Sequence, residues 1–233
     1  MLDEKYFQLN GTALRLNPDY VLEGKITIPT SIGGTTITSI AQTGFSKNGG
    51  KNNNITHIFW AREGRGLLAI NQQAFDGDTD LVYFEMPETC RTIRDNAFSG
   101  CTSFMSTDTI EGAFIYEFLE PLTTIGQIIF SGCVSIKYLS IPGHSYNYSD
   151  SAFGGLRALK TVTFGTETEP CAQDFSTVGN NLFGGSSGLA GELNNQTGSI
   201  TVWKSPSIVN WDNFLDLIGI NLENFPNQQF LPL

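Results

Sequence analysis

The chain has 233 residues, with 13 lysines and arginines against 23 aspartates and glutamates, so its net charge is −10. This charge argues against nucleic acid and anionic membrane as partners, because both require clustered basic residues. Only 15% of the residues are charged while 40% are hydrophobic, which predicts a folded chain with an uncharged polar surface. No apolar run approaches the ~18 residues of a membrane span, and no signal peptide is visible.

Residues 1–23 are predicted to form an amino-terminal cap. Apolar residues stand on both sides of Asn10-Gly11, a dipeptide that is favoured in two-residue hairpin turns. We therefore expect a β-hairpin before the first repeat.

An internal repeat occupies residues 24–204. Six phenylalanines recur at spacings of about one unit, with insertions in some copies: Phe45, Phe75, Phe98, Phe130, Phe153 and Phe183. The residues five positions before them form a second column: Ile40, Ile70, Ile93, Ile125, Tyr148 and Val178. A small or aliphatic residue precedes each Phe, and the last five units carry an apolar residue six positions after it: Leu81, Phe104, Ile136, Leu159 and Leu189. Agreement of several columns in six units indicates a repeat protein.

Each unit is predicted to contain one strand and one tight turn. The alternation in 81–86 and 136–141 is typical of a strand with one buried face. The stretch from the Ile column to the Phe column is short, so we expect a tight helical or 3₁₀ turn there. Glycines at 77, 100, 132, 154 and 184 are expected to let the backbone leave this turn. One unit cannot bury its Phe alone, so the units must stack into a β-rich solenoid.

The phrase I-x-x-x-A-F-x-G-C, seen at 93–101, and the strand ending Ile-Pro resemble the BspA-like leucine-rich repeats. The resemblance covers residues 24–204 and implies a right-handed leucine-rich-repeat stack of about six units. The sequence departs from the pattern at insertions 46–54, 105–121 and 165–177, and Thr107 and Thr109 stand where the strand after Phe98 should be apolar.

Residues 205–233 are predicted to form a carboxy-terminal cap helix and a tail. Ser205-Pro206 is typical of a helix start, and apolar residues follow at helical spacing. The tail from Phe225 onward is expected to pack back on the cap or to insert into a neighbouring molecule.

Two features of the repeat are candidates for a chemical site. Asp76-Gly-Asp78-Thr-Asp80 is similar to the start of a calcium loop, but Leu81 and Pro87 stand where an EF-hand needs Gly and Glu, so a solvated turn is favoured over calcium binding. Cys101 and Cys133 share one column within disulfide reach, although burial as small hydrophobic residues is favoured. We expect no metal site, no cofactor and no enzyme.

The two histidines are predicted to be solvent-facing. His57 alternates with the apolar positions of a strand, and His144 follows Pro142-Gly143 in a loop. Neither histidine stands in a motif with a nucleophile and a carboxylate, so the sequence argues against a hydrolase with a catalytic triad.

The predicted function is recognition by the sheet face or by the inserted loops, with a protein or cell-surface ligand. The candidate partner-binding residues are Tyr83, Glu85, Lys137, Ser140, Tyr146, Lys160 and Thr163. The resemblance implies an adhesion protein at the cell surface or in the extracellular space. The alternative is a structural or decorating protein of a phage virion, bound to other capsid or tail proteins.

Overall fold

The computed structural model describes residues 3–51, 53–61, 66–104, 115–117, 122–136, 138–141, 147–156, 159, 161–165, 182–183, 199–204 and 227–232. One short 3₁₀ helix, Glu4–Tyr6, occurs in these ranges. Their strands, in chain order, are β1 (Phe7–Asn10), β2 (Ala13–Leu16), β3 (Leu22–Ile28), β4 (Ser31–Ile32), β5 (Thr35–Thr36), β6 (Ser39–Ile40), β7 (Asn53–Trp60), β8 (Ala69–Ile70), β9 (Tyr83–Phe84), β10 (Thr92–Ile93), β11 (Ile115–Glu117), β12 (Thr124–Ile125), β13 (Tyr138–Ile141), β14 (Asn147–Tyr148), β15 (Thr161–Phe164), β16 (Ser199–Lys204) and β17 (Asn227–Pro232).

A seven-stranded sheet runs along the stack in the order β1-β2-β6-β8-β10-β12-β14. Its parallel register confirms five members of the predicted column, since Ile40, Ile70, Ile93, Ile125 and Tyr148 pair in succession. The amino-terminal hairpin is also present, with β1 antiparallel to β2 across Asn10 and Ala13. Leu14 of this hairpin pairs with Ile40 and extends the column by one member that the repeat pattern did not include.

The phenylalanine column forms the centre of the core. All six of its members have no solvent exposure. Ring centroids lie 5.2 Å apart for Phe45 and Phe75, 5.1 Å for Phe75 and Phe98, and 5.6 Å for Phe98 and Phe130. Stacking along the solenoid therefore buries each ring between its neighbours, as the repeat logic requires.

The turn before each of the first five column phenylalanines is a chain of tight turns rather than the helical or 3₁₀ turn that we predicted. The residue two positions before the Phe has positive φ, which interrupts helical geometry. These residues are Thr43, Gln73, Asn96, Ile128 and Ser151. The glycine two positions after the Phe also has positive φ in the second, third and fourth units, and in the fifth unit Gly155 fills that place rather than the predicted Gly154.

Each of the first five units contributes to two sheets, so the expectation of one strand per unit is wrong. The second strands form a three-stranded sheet, β3-β7-β9, and a five-stranded sheet, β11-β13-β15-β16-β17. The unit after Phe98, which lacks apolar residues at 107 and 109, obtains its strand from inside insertion 105–121, because Ile115 pairs with Tyr138. Part of that insertion is therefore sheet rather than loop.

The carboxy-terminal tail contributes a strand to the second sheet. Its residues Asn227–Pro232 add a parallel strand alongside Ser199–Lys204. The predicted cap helix after Ser205 lies outside the described residues, and the division into cap, solenoid and cap stays a prediction. Among the described residues, no helix has the length and apolar character to cross a membrane.

Candidate functional site on the outward face of β3, β7 and β9

The three-stranded sheet has one buried face and one outward face. Ile26, Ile58 and Phe84 pair across it and are buried. The adjacent row pairs Lys25 with His57 and His57 with Tyr83. Because successive strand residues point to opposite faces, this second row lies on the outward side.

An aromatic patch occupies this outward row, formed by His57, Phe59 and Tyr83. The centroids of Phe59 and Tyr83 lie 5.5 Å apart, those of His57 and Phe59 6.1 Å, and those of His57 and Tyr83 6.2 Å. All three side chains are half-buried. Mutual ring contacts of this kind hold the side chains in place and cover the outward face with apolar surface.

The surroundings of His57 favour its neutral imidazole. Partial burial, and then the positive charge of Lys25 on the neighbouring strand, lower the pKa of its imidazole from the ordinary 6.5. Its Nδ1 lies 3.0 Å from the hydroxyl of Thr56. The predicted solvent-facing placement is confirmed, but the ring is one part of a packed patch rather than an isolated polar group.

Glu85 performs a structural role at the edge of the patch. Its carboxylate accepts a hydrogen bond of 2.8 Å from the backbone N–H of Trp60, and its carbonyl accepts one of 3.0 Å from the Trp60 indole. This clamp fixes the end of β7 against the strand that carries Tyr83. Glu85 thus positions the patch, whatever else it contacts.

The other predicted partner-binding residues are distributed between the second sheet and the undescribed part of the chain. Thr163 is half-buried in β15, and its backbone pairs with that of Ser140 in β13. Lys137, Tyr146 and Lys160 lie outside the described residues, as does His144. Among the described residues, the structure brings together Tyr83 with Glu85 and, on the other sheet, Ser140 with Thr163, and partner binding at all seven residues stays a prediction.

Two residues of this face were missed by the sequence reasoning, Phe59 and Lys25. The register between β3 and β7 shifts between Gly24 and Lys25, so Thr56 is an extra residue and a β-bulge breaks the simple alternation. The available signal was the aromatic run His57-Ile-Phe59-Trp60, in which only alternate positions can be buried.

The aspartates at 76–80 are held by protein groups rather than arranged as a metal site. Asp76 accepts a hydrogen bond of 3.0 Å from the Asn48 amide, and Lys47 forms an ion pair with Asp80. Asp78 is 2% exposed and accepts a hydrogen bond of 3.1 Å from the Asn53 amide. In the described part of the chain, no group of three or more His, Cys, Asp or Glu residues could hold a metal ion.

The column cysteines are buried thiols, as the favoured interpretation predicted. Cys101 and Cys133 are both unpaired by disulfides, and each Sγ lies 3.1 Å from the carbonyl of the preceding unit's phenylalanine. Burial raises the pKa of both thiols well above the ordinary value, so neither forms a reactive thiolate at neutral pH.

Comparisons with known proteins agree with this architecture. The family model described as BspA type leucine rich repeat region matches six copies over residues 50–191. A leucine-rich repeat protein of T. pallidum has a TM-score of 0.54 and 23% identity, with 70% of each chain covered. No curated protein sequence matches the chain.

Two further solved structures are more distant. A leucine-rich repeat protein from Bacteroides ovatus has a TM-score of 0.43 and 15% identity, covering 90% of this chain and 66% of its own. A leucine-rich cell surface protein from Faecalibacterium prausnitzii has a TM-score of 0.42 and 18% identity, covering 74% of this chain and 56% of its own.

Proposed function

Because the chain belongs to the BspA-type leucine-rich-repeat family, we propose that it is a non-enzymatic recognition scaffold that binds a protein ligand at a cell surface. The family is generally non-enzymatic and its repeats generally bind proteins. A solenoid suits this work, since its stacked units present one continuous surface while the core stays unchanged. The phage virion alternative stays a prediction, because no feature described above favours it.

The aromatic patch is the observation that carries the proposal. Aromatic residues are enriched in protein interfaces because they bury a large area with few rotatable bonds. The rings of His57, Phe59 and Tyr83 already contact each other, so little side-chain entropy remains to be lost when a partner covers them. Lys25 adds a positive charge beside the patch on a chain whose net charge is −10.

The test measures binding of the fluorescently labelled protein to cultured epithelial cells and to bacterial cells. We expect saturable binding to at least one of them that is lost when surface proteins are digested. The double substitution Phe59→Thr and Tyr83→Thr should weaken binding about tenfold or more, as expected for interface anchors. Threonine keeps the strand propensity of these positions.

Leu68→Thr is the matched control, because Leu68 is 50% exposed and lies next to a different sheet. It removes exposed apolar surface of similar kind without touching the patch. Equal binding by the double variant and the native chain would refute the assignment of the patch. Binding that survives digestion of surface proteins would refute a protein ligand.

A further inference from the structure

A polar groove lies beside the seven-stranded sheet, away from the aromatic patch. It has a volume of about 380 Å³ and crosses the hairpin and the first three units. Its polar lining consists of four carboxamides and one guanidinium, from Asn10, Gln42, Asn71, Gln72 and Arg94. We refer to these residues as the amide groove. Its volume falls at the small end of the ~300–1,000 Å³ that is typical of small-molecule sites.

The repeat register builds this groove. Gln42 and Gln72 stand two residues after Ile40 and Ile70, so they occupy equivalent places on neighbouring units. Asn71 and Arg94 stand one residue after Ile70 and Ile93 and are likewise one unit apart. Neighbouring parallel strands are about 4.8 Å apart, which brings these side chains into one short array.

The small residues Ala13 and Ala41 complete the lining. Both are half-buried, and their methyl groups leave space between the longer side chains. The groove therefore combines a narrow apolar surface with a polar rim.

The polar groups of the groove divide into one fixed amide and several available ones. The Asn71 amide donates a hydrogen bond of 2.8 Å to the carbonyl of Ile40, which fixes its orientation. Within the described part of the chain, the side chains of Gln42, Gln72 and Arg94 form no hydrogen bond or ion pair. All three are exposed and can turn toward a ligand.

We propose that the amide groove binds a sugar acid, a hydroxyl-bearing ring with a single carboxylate. Carboxamides offer a donor and an acceptor side by side, which matches the hydroxyl groups of a sugar. The guanidinium of Arg94 suits a carboxylate, which it can hold with two parallel hydrogen bonds. This site lies outside the proposed protein-binding face and does not depend on that proposal.

The surrounding charges favour one negative charge on the ligand rather than several. Arg94 is the single cation of the groove, and Asp95 follows it directly. The Asp95 carboxylate accepts a hydrogen bond of 2.8 Å from the Gln127 N–H, so it is committed to the next unit. A net charge of −10 also repels polyanions from the molecule as a whole.

The test is a titration of isotopically labelled protein with D-glucuronate, followed by nuclear magnetic resonance. We expect saturable shifts of the Gln42, Asn71 and Gln72 signals at millimolar ligand. D-glucose, which lacks the carboxylate, and acetate, which lacks the hydroxyls, should each bind more weakly. Arg94→Gln should weaken glucuronate binding about tenfold, the effect expected for losing a charge-assisted hydrogen bond.

Lys25→Gln is the matched control, because it removes one positive charge from an exposed position on the other sheet. It should leave glucuronate binding unchanged. Failure of the groove to respond at tens of millimolar glucuronate would overturn the proposal, as would equal binding by Arg94→Gln or by D-glucose. None of these results would alter cell binding through the aromatic patch, so the two proposals fail independently.

Discussion

The second repeat unit and the two units after it use different donors to hydrogen-bond an equivalent carbonyl, that of the preceding unit's column phenylalanine. Three residues after the column phenylalanine stand Asp78 in one case and Cys101 and Cys133 in the others. Each cysteine thiol lies 3.1 Å from the carbonyl of the preceding phenylalanine. In the Asp78 unit, that carbonyl belongs to Phe45 and accepts a hydrogen bond of 2.8 Å from the Asn53 amide, which also donates to Asp78.

This difference teaches that the ring column is fixed by the repeat, whereas its polar groups are satisfied unit by unit. Asn53 belongs to insertion 46–54, so in this unit the insertion supplies the hydrogen-bond donor. In the later two units the donor is the cysteine thiol, which is part of the repeat itself. Burial raises the pKa of Asp78 to about 7, while the cysteines stay protonated across the physiological range. One unit is therefore sensitive to pH at a place where the next two are not.

The largest loss of stability is expected from removing a column phenylalanine in a unit that carries a cysteine. Phe98→Ala should cost about 3–5 kcal/mol, the usual range for a buried phenylalanine. Its ring contacts those of Phe75, Phe104 and Phe130, with centroids 5.1, 4.9 and 5.6 Å away. Denaturant unfolding measures the loss. Phe45→Ala should cost less, because the unit before it is only the hairpin, and a loss below about 1 kcal/mol for Phe98→Ala would contradict the stacked column.

Removing the Asn53 amide, which bonds both acceptors, should destabilise the unit that contains Asp78. Asn53→Ala leaves both the Phe45 carbonyl and the Asp78 carboxyl without this donor, and about 2–3 kcal/mol of stability should be lost at pH 8. Asn54→Ala is the control, since Asn54 is exposed and its substitution should change stability little. Equal effects of the two substitutions in chemical denaturation would show that the buried amide does not matter.

The pH dependence of stability should distinguish the two regions. The pKa of Asp78 is about 7 in the folded chain against an ordinary 3.8, so the folded state binds more protons between these values. Stability should therefore fall as pH rises from 5 to 7, by at most about 1.4 kcal/mol per pH unit from this group.

Asp78→Cys converts the second unit to the chemistry of the later two and should flatten this dependence. The free energy of unfolding of the native chain and the variant, measured from pH 5 to 8, makes the comparison. If the variant keeps the native slope, the pH dependence arises elsewhere.

The smallest effect concerns the backbone of the third and fourth units. Ile128 has φ of 41° and Asn96 has φ of 56° at the same column position. Asparagine tolerates left-handed geometry far better than a β-branched residue. Ile128→Asn should stabilise the chain by about 1 kcal/mol, and Asn96→Ile should destabilise it. Thermal unfolding checks both, and opposite signs are required.

The sequence predicted those parts of the fold that repeat. Ile40, Ile70 and Ile93 pair as expected because each is tied to its Phe by the same five-residue turn. The strand at Ile115–Glu117 was not predicted, because the insertion before it separates it from its Phe and removes the spacing signal.

The candidate site was less predictable than the core. Tyr83 and Glu85 were found from strand alternation, but Phe59 was not, because phenylalanine is a residue type usually assigned to the core. The Asn53–Asp78 contact joins an insertion to a repeat position, and no periodic pattern relates the two. What sequence reasoning missed therefore consists of contacts between repeat and non-repeat segments.

The turn hydrogen bonds at the phenylalanine column share one direction along the stack. The N–H groups of Phe45, Phe75 and Phe98 each donate to a carbonyl of the following unit. Peptide dipoles aligned in this way add up along the column of turns, as they do along a helix, and the positive pole of that column lies toward the carboxy-terminal units. The bonds beside the seven-stranded sheet include donors that point the other way, such as the N–H groups of Asn71 and Arg94. At the opposite, negative pole, the Gly44 carbonyl accepts a hydrogen bond of 2.9 Å from the Leu16 N–H. The hairpin therefore terminates a dipole as well as covering the core, and it does so with a backbone donor that no side-chain substitution can remove.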